Sequence, residues 1–180
     1  MKQFGAAVAA AFSMLACAST APYPADYPLT EATFASRDGS FTGKIPLGWF
    51  SSTEDSLANA LTAWLIKEDY SAILAVKEIK LDRLATERVQ KEGLILLAQI
   101  NASMEGASQL LHDLKEFEMA KRKYAGYEQS AGETTARIVV FTGRGKFYSC
   151  TARTVKGTWS RTEIAEMFRA QQTLLASLMF

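Results

Sequence analysis

Alternation of hydrophobic and polar residues predicts that the first folded part of the chain is made of β-strands. Three strands are predicted, at residues 41–49, 62–67 and 71–81. The first places Phe41, Gly43, Ile45 and Leu47 on one face. Pro46 has no amide hydrogen to donate, so this strand should lie at an edge or bend at that point. Asp38-Gly39 is a strong turn signal before it, and Trp49 is expected to anchor the core.

A second group of strands is predicted in the C-terminal half. The clearest pattern is a hairpin whose strands, at 135–142 and 146–155, are joined by Gly143-Arg144-Gly145. A further strand is predicted at 119–128, followed by a turn at 130–134. These segments are joined by short turns, which favours antiparallel pairing.

Two segments have the periodicity of amphipathic helices. The first has apolar residues at spacings of three and four, at Leu97, Ile100, Met104, Ala107, Leu111, Leu114 and Phe117. It predicts one long helix that begins between residues 85 and 92, with Gly93 weakening its first turns. The second begins with Ser160 and Glu163, which form a capping box, and continues to the C-terminus. Together these elements predict an α+β fold, with a central, mostly antiparallel sheet sandwiched by amphipathic helices.

The N-terminus has the pattern of an export signal. Lys2 precedes an apolar run that is shorter than the roughly 20 residues of a membrane-spanning helix but suits a signal peptide. The run ends in Leu15-Ala16-Cys17, which resembles a bacterial lipobox, although Met14 occupies the usual leucine position. Residues 1–16 are therefore predicted to be a lipoprotein signal peptide and Cys17 the site of lipidation. Ordinary secretion and an uncleaved anchor remain the alternatives.

Residues 17–33 are predicted to connect the lipidated cysteine to the folded domain. This segment contains Pro22, Pro24 and Pro28, three of the four prolines in the chain. Prolines favour extended conformations, so the segment is expected to act as a tether, although a disordered tail would have the same composition. Residues 34–180 are expected to form one domain.

Composition excludes some classes of function. The chain has 180 residues and a net charge of +1, so it shows no general attraction to nucleic acid or to an anionic membrane surface. Its two cysteines, Cys17 and Cys150, cannot form a disulfide framework.

Candidate chemistry is sparse. His112, the single histidine, is expected on the long helix as a structural residue, with neither a metal partner nor a nucleophile beside it. Cys150 is expected to be a small core residue, with a reactive thiol as the alternative. The run Lys121, Arg122 and Lys123 is a possible basic patch for a partner, and a solvated strand edge is the simpler interpretation. We therefore expect no enzyme activity, no metal and no cofactor.

The order of these elements resembles the PsbP-like superfamily, and within it the DcrB-like bacterial lipoproteins. The resemblance is carried by the Asp38-Gly39 turn, the segment Ile45-Pro46-Leu47-Gly48-Trp49, the hairpin at 138–152 and the closing helix. It covers residues 34–180 and implies an α/β/α sandwich. It also implies a binding or assembly-assisting protein rather than an enzyme, and it assigns no functional residue to this chain.

Two functional hypotheses follow from the sequence. The first is a lipid-anchored protein of the bacterial envelope that binds or helps to assemble a protein partner and makes no contact with nucleic acid. It would face the periplasm or the exterior, and Ala18-Ser19 after the cysteine favours the outer membrane. The alternative is a carrier of a small ligand or lipid, which would need a cleft between a helix and the sheet.

Overall fold

A computed structural model describes residues 21–52, 61–106, 112–131 and 134–180. Within these ranges the chain forms strands and helices in the order β1 (Leu29–Ala35), β2 (Thr42–Pro46), β3 (Trp49–Ser51), β4 (Ala63–Lys67), β5 (Ala72–Ile79), α1 (Arg83–Glu92), α2 (Leu94–Met104), β6 (His112–Met119), β7 (Arg122–Ala131), β8 (Thr134–Gly143), β9 (Lys146–Thr154) and α3 (Arg161–Ser177).

Seven of the strands form one antiparallel sheet in the order β3-β4-β5-β9-β8-β7-β6, and β1 and β2 form a separate two-stranded sheet. The two faces of the large sheet carry separate hydrophobic clusters. Helix α3 packs on one face, where Phe168 and Leu174 join Val76, Phe141 and Tyr148. Helices α1 and α2 pack on the other face, over Ile79, Ile138, Val140 and Phe147. The predicted fold class, an antiparallel sheet between amphipathic helices, is confirmed.

Several local predictions are also confirmed. Gly39 adopts a positive φ of 68° in the predicted turn, and β2 ends at Pro46. Trp49 is buried in the core. The C-terminal hairpin forms as β8 and β9, and Ser160 and Glu163 make both hydrogen bonds of the capping box.

The prediction of one long helix is wrong. Gly93, with a φ of 91°, separates α1 from α2, and α2 ends at Met104 before Gly106 adopts a φ of 71°. Residues 112–119, including His112, form strand β6. Leu114 and Phe117 have the spacing of a helix, but in the strand they lie on opposite faces and enter different hydrophobic clusters. Ala107 and Leu111, which completed the helical pattern, lie outside the described residues.

This error also displaced the next strand. The prediction ran from residue 119 to 128, whereas Met119 ends β6 and Arg122 begins β7. Ala120 and Lys121 form the tight turn between the two strands, and both have positive φ angles, of 49° and 61°. The fold therefore has a hairpin at 112–131 in place of the last helical turns and one strand.

The packed part of the chain begins before the predicted boundary at Phe34. Strand β1 starts at Leu29, and Ala21, Tyr23 and Tyr27 pack against the cluster on the α3 side of the sheet. The portion of the predicted tether from residue 21 to residue 33 is therefore attached to the domain. The tyrosines between the prolines supply apolar surface that packs against the domain.

Candidate functional site

Among the described residues, helices α1 and α2 cover only part of their face of the sheet. The uncovered area lies at β4, β5 and β9, where the register sets Ala75 opposite both Trp64 and Thr151. On either side of this row, Ile73 lies opposite Arg153 and Lys77 lies opposite Ser149. The alternation of these strands therefore presents a mixed apolar and polar surface on a rigid part of the fold.

A cavity of about 250 Å³ lies on this surface. We call it the open-face groove, and it is lined by Leu61, Ile73, Ala75, Lys77, Glu105, Ser149, Thr151 and Arg153. A neighbouring cavity of about 90 Å³ shares Leu61 and is lined by Arg37 and Trp64 as well. The indole Nε1 of Trp64 is buried and has no hydrogen-bond partner among the described residues.

The charge of the open-face groove is mainly positive. The side chains of Lys77 and Arg153 are exposed, and neither has an ion-pair partner within the described parts of the chain. In contrast, Lys146 contacts two carboxylates, with its Nζ at 2.9 Å from Asp38 and 3.0 Å from Glu78. Glu105 is the one acidic residue among the described residues that line the groove, so this surface has the electrostatic character of a site for an acidic group.

A second polar feature, centred on Arg137, lies on the α3 side of the sheet. Its guanidinium is buried and donates to Gln171 Oε1 at 2.9 Å and to Gln172 Oε1 at 2.7 Å. The guanidinium also lies 4.9 Å from the ring centre of Tyr23 and 5.6 Å from that of Phe117. We call these five residues the Arg137 cluster.

The Arg137 cluster holds the N-terminal segment on the domain. Removal of the guanidinium from water lowers the pKa of Arg137 to about 10, which leaves the side chain charged at neutral pH. The side chains of Gln171 and Gln172, which accept these two hydrogen bonds, are neutral amides, so the aromatic faces and the nearby Glu128 carboxylate supply the remaining stabilisation. Sequence reasoning missed this cluster, although a lone arginine in the apolar run 136–141 is a signal for it.

The predicted basic residues at 121–123 differ in their surroundings. Lys121 and Lys123 are exposed, at the turn and at the start of β7. Arg122 instead donates to the Leu178 carbonyl at 2.7 Å and lies 4.9 Å from the Phe180 ring centre. Its guanidinium therefore stabilises the C-terminal end of α3, and two exposed ammonium groups remain for a partner.

The structure keeps the candidate catalytic residues apart. His112 lies on edge strand β6, whereas Cys150 lies in the middle of β9. Burial raises the pKa of the Cys150 thiol to about 12, so the reactive thiolate is disfavoured. Across the described ranges, no three His, Cys, Asp or Glu residues are placed to hold a metal ion together.

The predicted lipidation site, Cys17, lies outside the described residues. Among the helices that the structure describes, none has the length and apolar character needed to cross a membrane. The position of Cys17 matters nevertheless, because only three residues of chain separate it from the docked segment that begins at Ala21.

Comparison with solved structures shows that the chain shares the PsbP-like fold. It superposes on cyanobacterial PsbP (CyanoP) from Synechocystis with a TM-score of 0.56 and 14% identity, over 82% of this chain and 91% of that one. It superposes on the Ran-binding protein Mog1p from Saccharomyces cerevisiae with a TM-score of 0.52 and 8% identity, over 84% and 96% of the two chains.

A third structure is less similar. LpqN of Mycobacterium tuberculosis, described as involved in cell envelope biogenesis, has a TM-score of 0.44 and 12% identity, over 86% of this chain and 92% of that chain. No known protein family matches this sequence, and no curated protein matches it either. The superpositions on PsbP and on Mog1p confirm the fold that the element order predicted.

Proposed function

We propose that this protein is a non-enzymatic binding or assembly module of the bacterial envelope, attached to a membrane through a lipid on Cys17. The open-face groove carries this proposal, because it combines the half-buried apolar side chains of Leu61 and Ile73 with exposed cations that have no ion-pair partner in the described chain. The partner that fits is an acidic segment of another envelope protein. Mog1p, which has the same fold, is named as a Ran-binding protein, so the fold is compatible with protein recognition.

The alternative of a lipid or small-ligand carrier is less well supported. Drug-sized ligands generally occupy cavities of roughly 300–1,000 Å³. The cavities given above, of about 250 Å³ and about 90 Å³, are smaller and lie at the surface. The space between α3 and the sheet is filled by aromatic and aliphatic side chains of the core. A flat protein segment fits such a surface better than an enclosed acyl chain does.

Replacement of Cys17 by serine tests the membrane attachment. Serine lacks the thiol that receives the diacylglyceryl group, so we expect Cys17→Ser to abolish incorporation of radiolabelled palmitate and to move the protein out of the membrane fraction. The matched control is Cys150→Ala, which removes the other thiol of the chain and should keep full incorporation per molecule. Palmitate that remains on the Cys17→Ser variant would refute the lipid anchor.

Charge reversal in the open-face groove tests partner binding. A photo-crosslinking residue placed at exposed Glu105 should form an adduct with the partner in intact cells. The double variant Lys77→Glu, Arg153→Glu should reduce this adduct about tenfold, which corresponds to ~1.4 kcal/mol, because it places like charges against an acidic segment.

The matched control for that experiment is Lys121→Glu, Lys123→Glu, which changes the net charge equally at the β6–β7 turn. This control should leave the adduct unchanged. Loss of the adduct in the control alone would show that the partner binds at the β6–β7 turn. An equal loss in the groove variant and in the control would show that binding depends only on net charge.

A further inference from the structure

Residues 21–28 are bound along the α3 side of the domain by a continuous series of contacts. Three of these contacts join the segment to β7 and α3. They are Tyr23 Oη to Glu128 Oε1 at 2.7 Å, Arg169 Nη2 to Asp26 Oδ1 at 2.8 Å, and the Tyr27 backbone amide to Thr173 Oγ1 at 3.0 Å. At the end of the segment, the Leu47 amide donates to the Pro28 carbonyl at 2.9 Å. The segment is therefore part of the folded domain and does not act as a free spacer.

Tyr23 is the most firmly held residue of this segment. Its ring packs edge-on against Phe168, with the ring centres 5.3 Å apart, and its other side faces the Arg137 guanidinium at 4.9 Å. Ala21, two residues before it, already packs against the hydrophobic cluster. Freeing the segment would expose these rings and leave a buried guanidinium without its aromatic neighbour, so the docked state should dominate.

The docked segment limits how far the domain can lie from Cys17. One residue of fully extended chain spans at most about 3.6 Å, so the four steps from Cys17 to Ala21 cover no more than ~14 Å. A free tether of sixteen residues would have reached ~50 Å at about 3 Å per residue. A lipid on Cys17 would therefore hold the Ala21 end of the domain close to the headgroups.

We infer that the acylated protein lies with the β6 edge of its sheet toward the bilayer and its β3 edge away from it. Pro22 and Tyr23 line a cavity of about 190 Å³ together with Lys115, Gly126 and Glu128 of β6 and β7. The segment therefore leaves the domain beside the outermost strand, β6. Strand β3 lies six strand spacings away, which is roughly 29 Å at 4.8 Å each.

This orientation keeps the open-face groove accessible from the aqueous side. Strands β9 and β5 are three and four spacings from β6, which places the groove about 14–19 Å farther from the bilayer than the β6 edge. The groove also lies on the face of the sheet opposite the docked segment. The inference rests on the proposed acylation of Cys17 and adds the side of the domain that meets the membrane.

Site-specific quenching by lipids tests the orientation on the full acylated chain. Single probes are attached to Lys115→Cys on β6 and, in a second sample, to Glu68→Cys at the β4–β5 turn. Cys150 stays unlabelled in both because its thiol is buried. The protein is reconstituted in phosphatidylcholine vesicles that contain a headgroup-nitroxide lipid. We expect quenching of the probe at residue 115 to be at least threefold greater than at residue 68.

A linker variant serves as the control. Insertion of twelve Gly/Ser residues between Thr20 and Ala21 extends the maximum span to ~58 Å and should bring the ratio of the two signals close to one. Equal quenching of the two probes in the original chain would overturn the orientation without contradicting the lipid anchor. The same conclusion would follow if the threefold ratio were unchanged by the insertion. A mass spectrum without the diacylglyceryl group on Cys17 would overturn the anchor and the orientation together.

Discussion

Replacement of Arg137 by methionine is expected to destabilise the domain by about 3 kcal/mol. Methionine replaces only the unbranched stem of arginine, and it leaves the buried Gln171 and Gln172 side-chain oxygens without the donors that contact them at 2.9 and 2.7 Å. A buried acceptor that loses its partner costs roughly 1–3 kcal/mol. The loss of the guanidinium between two aromatic rings adds to this cost, while relief from its desolvation offsets part of it. Urea unfolding with a constant slope would measure the difference.

Two further variants sharpen the Arg137 experiment. Arg153→Met removes an exposed arginine from the neighbouring strand and should change stability by no more than about 0.5 kcal/mol. In a double-mutant cycle, adding Gln172→Met to Arg137→Met should cost less than the sum of the single changes, because each removes the other's partner. A loss below ~1 kcal/mol for Arg137→Met, or strict additivity, would show that the cluster contributes little to folding.

Truncation of Phe141 to alanine is expected to cost about 3–5 kcal/mol. Phe141 is 1% exposed, and its ring centre lies 5.5 Å from that of Tyr148, 5.9 Å from that of Tyr124 and 6.2 Å from that of Phe180. The substitution therefore removes a large buried surface and three aromatic contacts from the centre of the sheet. Thermal unfolding should show a decrease in Tm of about 10 °C for a domain of this size.

Phe50 offers the matched control for Phe141. It lies on the short edge strand β3, is only partly buried, and contacts Tyr70 at a ring separation of 5.8 Å. Phe50→Ala should therefore cost about 1 kcal/mol. Equal losses at the two positions would mean that the aromatic cluster around Phe141 does not form the stabilising centre of the fold.

Local sequence patterns predicted the structure correctly wherever it is determined by residues that lie close together in the chain. The capping box at Ser160 and Glu163 involves residues three apart, and the turn at Gly39 needs one residue with a positive φ. Strands β8 and β9 are adjacent in the chain and joined by a short turn, so their alternation predicts their pairing. The fold class followed from these elements and from the order in which they occur.

The 112–119 segment shows where local pattern fails. Leu114 and Phe117 lie three positions apart, a spacing that suits one face of a helix and equally suits the two faces of a strand that is covered on both sides. In the structure, α2 covers one face of β6 and the α3-side cluster covers the other, so Phe117 is buried and Leu114 is half-buried. Only the presence of a layer on each side of the strand distinguishes these possibilities.

The candidate site depended even more on tertiary structure. Lys77 and Arg153 are 76 positions apart in the chain, and they lie in one groove because β5 pairs with β9. The Arg137 cluster likewise joins residues from the N-terminal segment, β6, β8 and α3. A pattern within one sequence does not indicate which residues far apart in the chain come into contact. The one hint, an arginine within an apolar strand, predicts a buried partner without naming it.

By itself, the sequence determined the local elements around their turns and caps, the α+β class, and Cys17 as the proposed point of lipid attachment. These follow from periodicity, backbone preference and the chemistry of a short motif, all of which act over a few residues. The tertiary structure decided that 112–119 is a strand, that residues 21–28 are docked, and which charges share a groove. Those outcomes depend on which surfaces cover one another, because the free energy of burial is determined by contacts between distant parts of the chain.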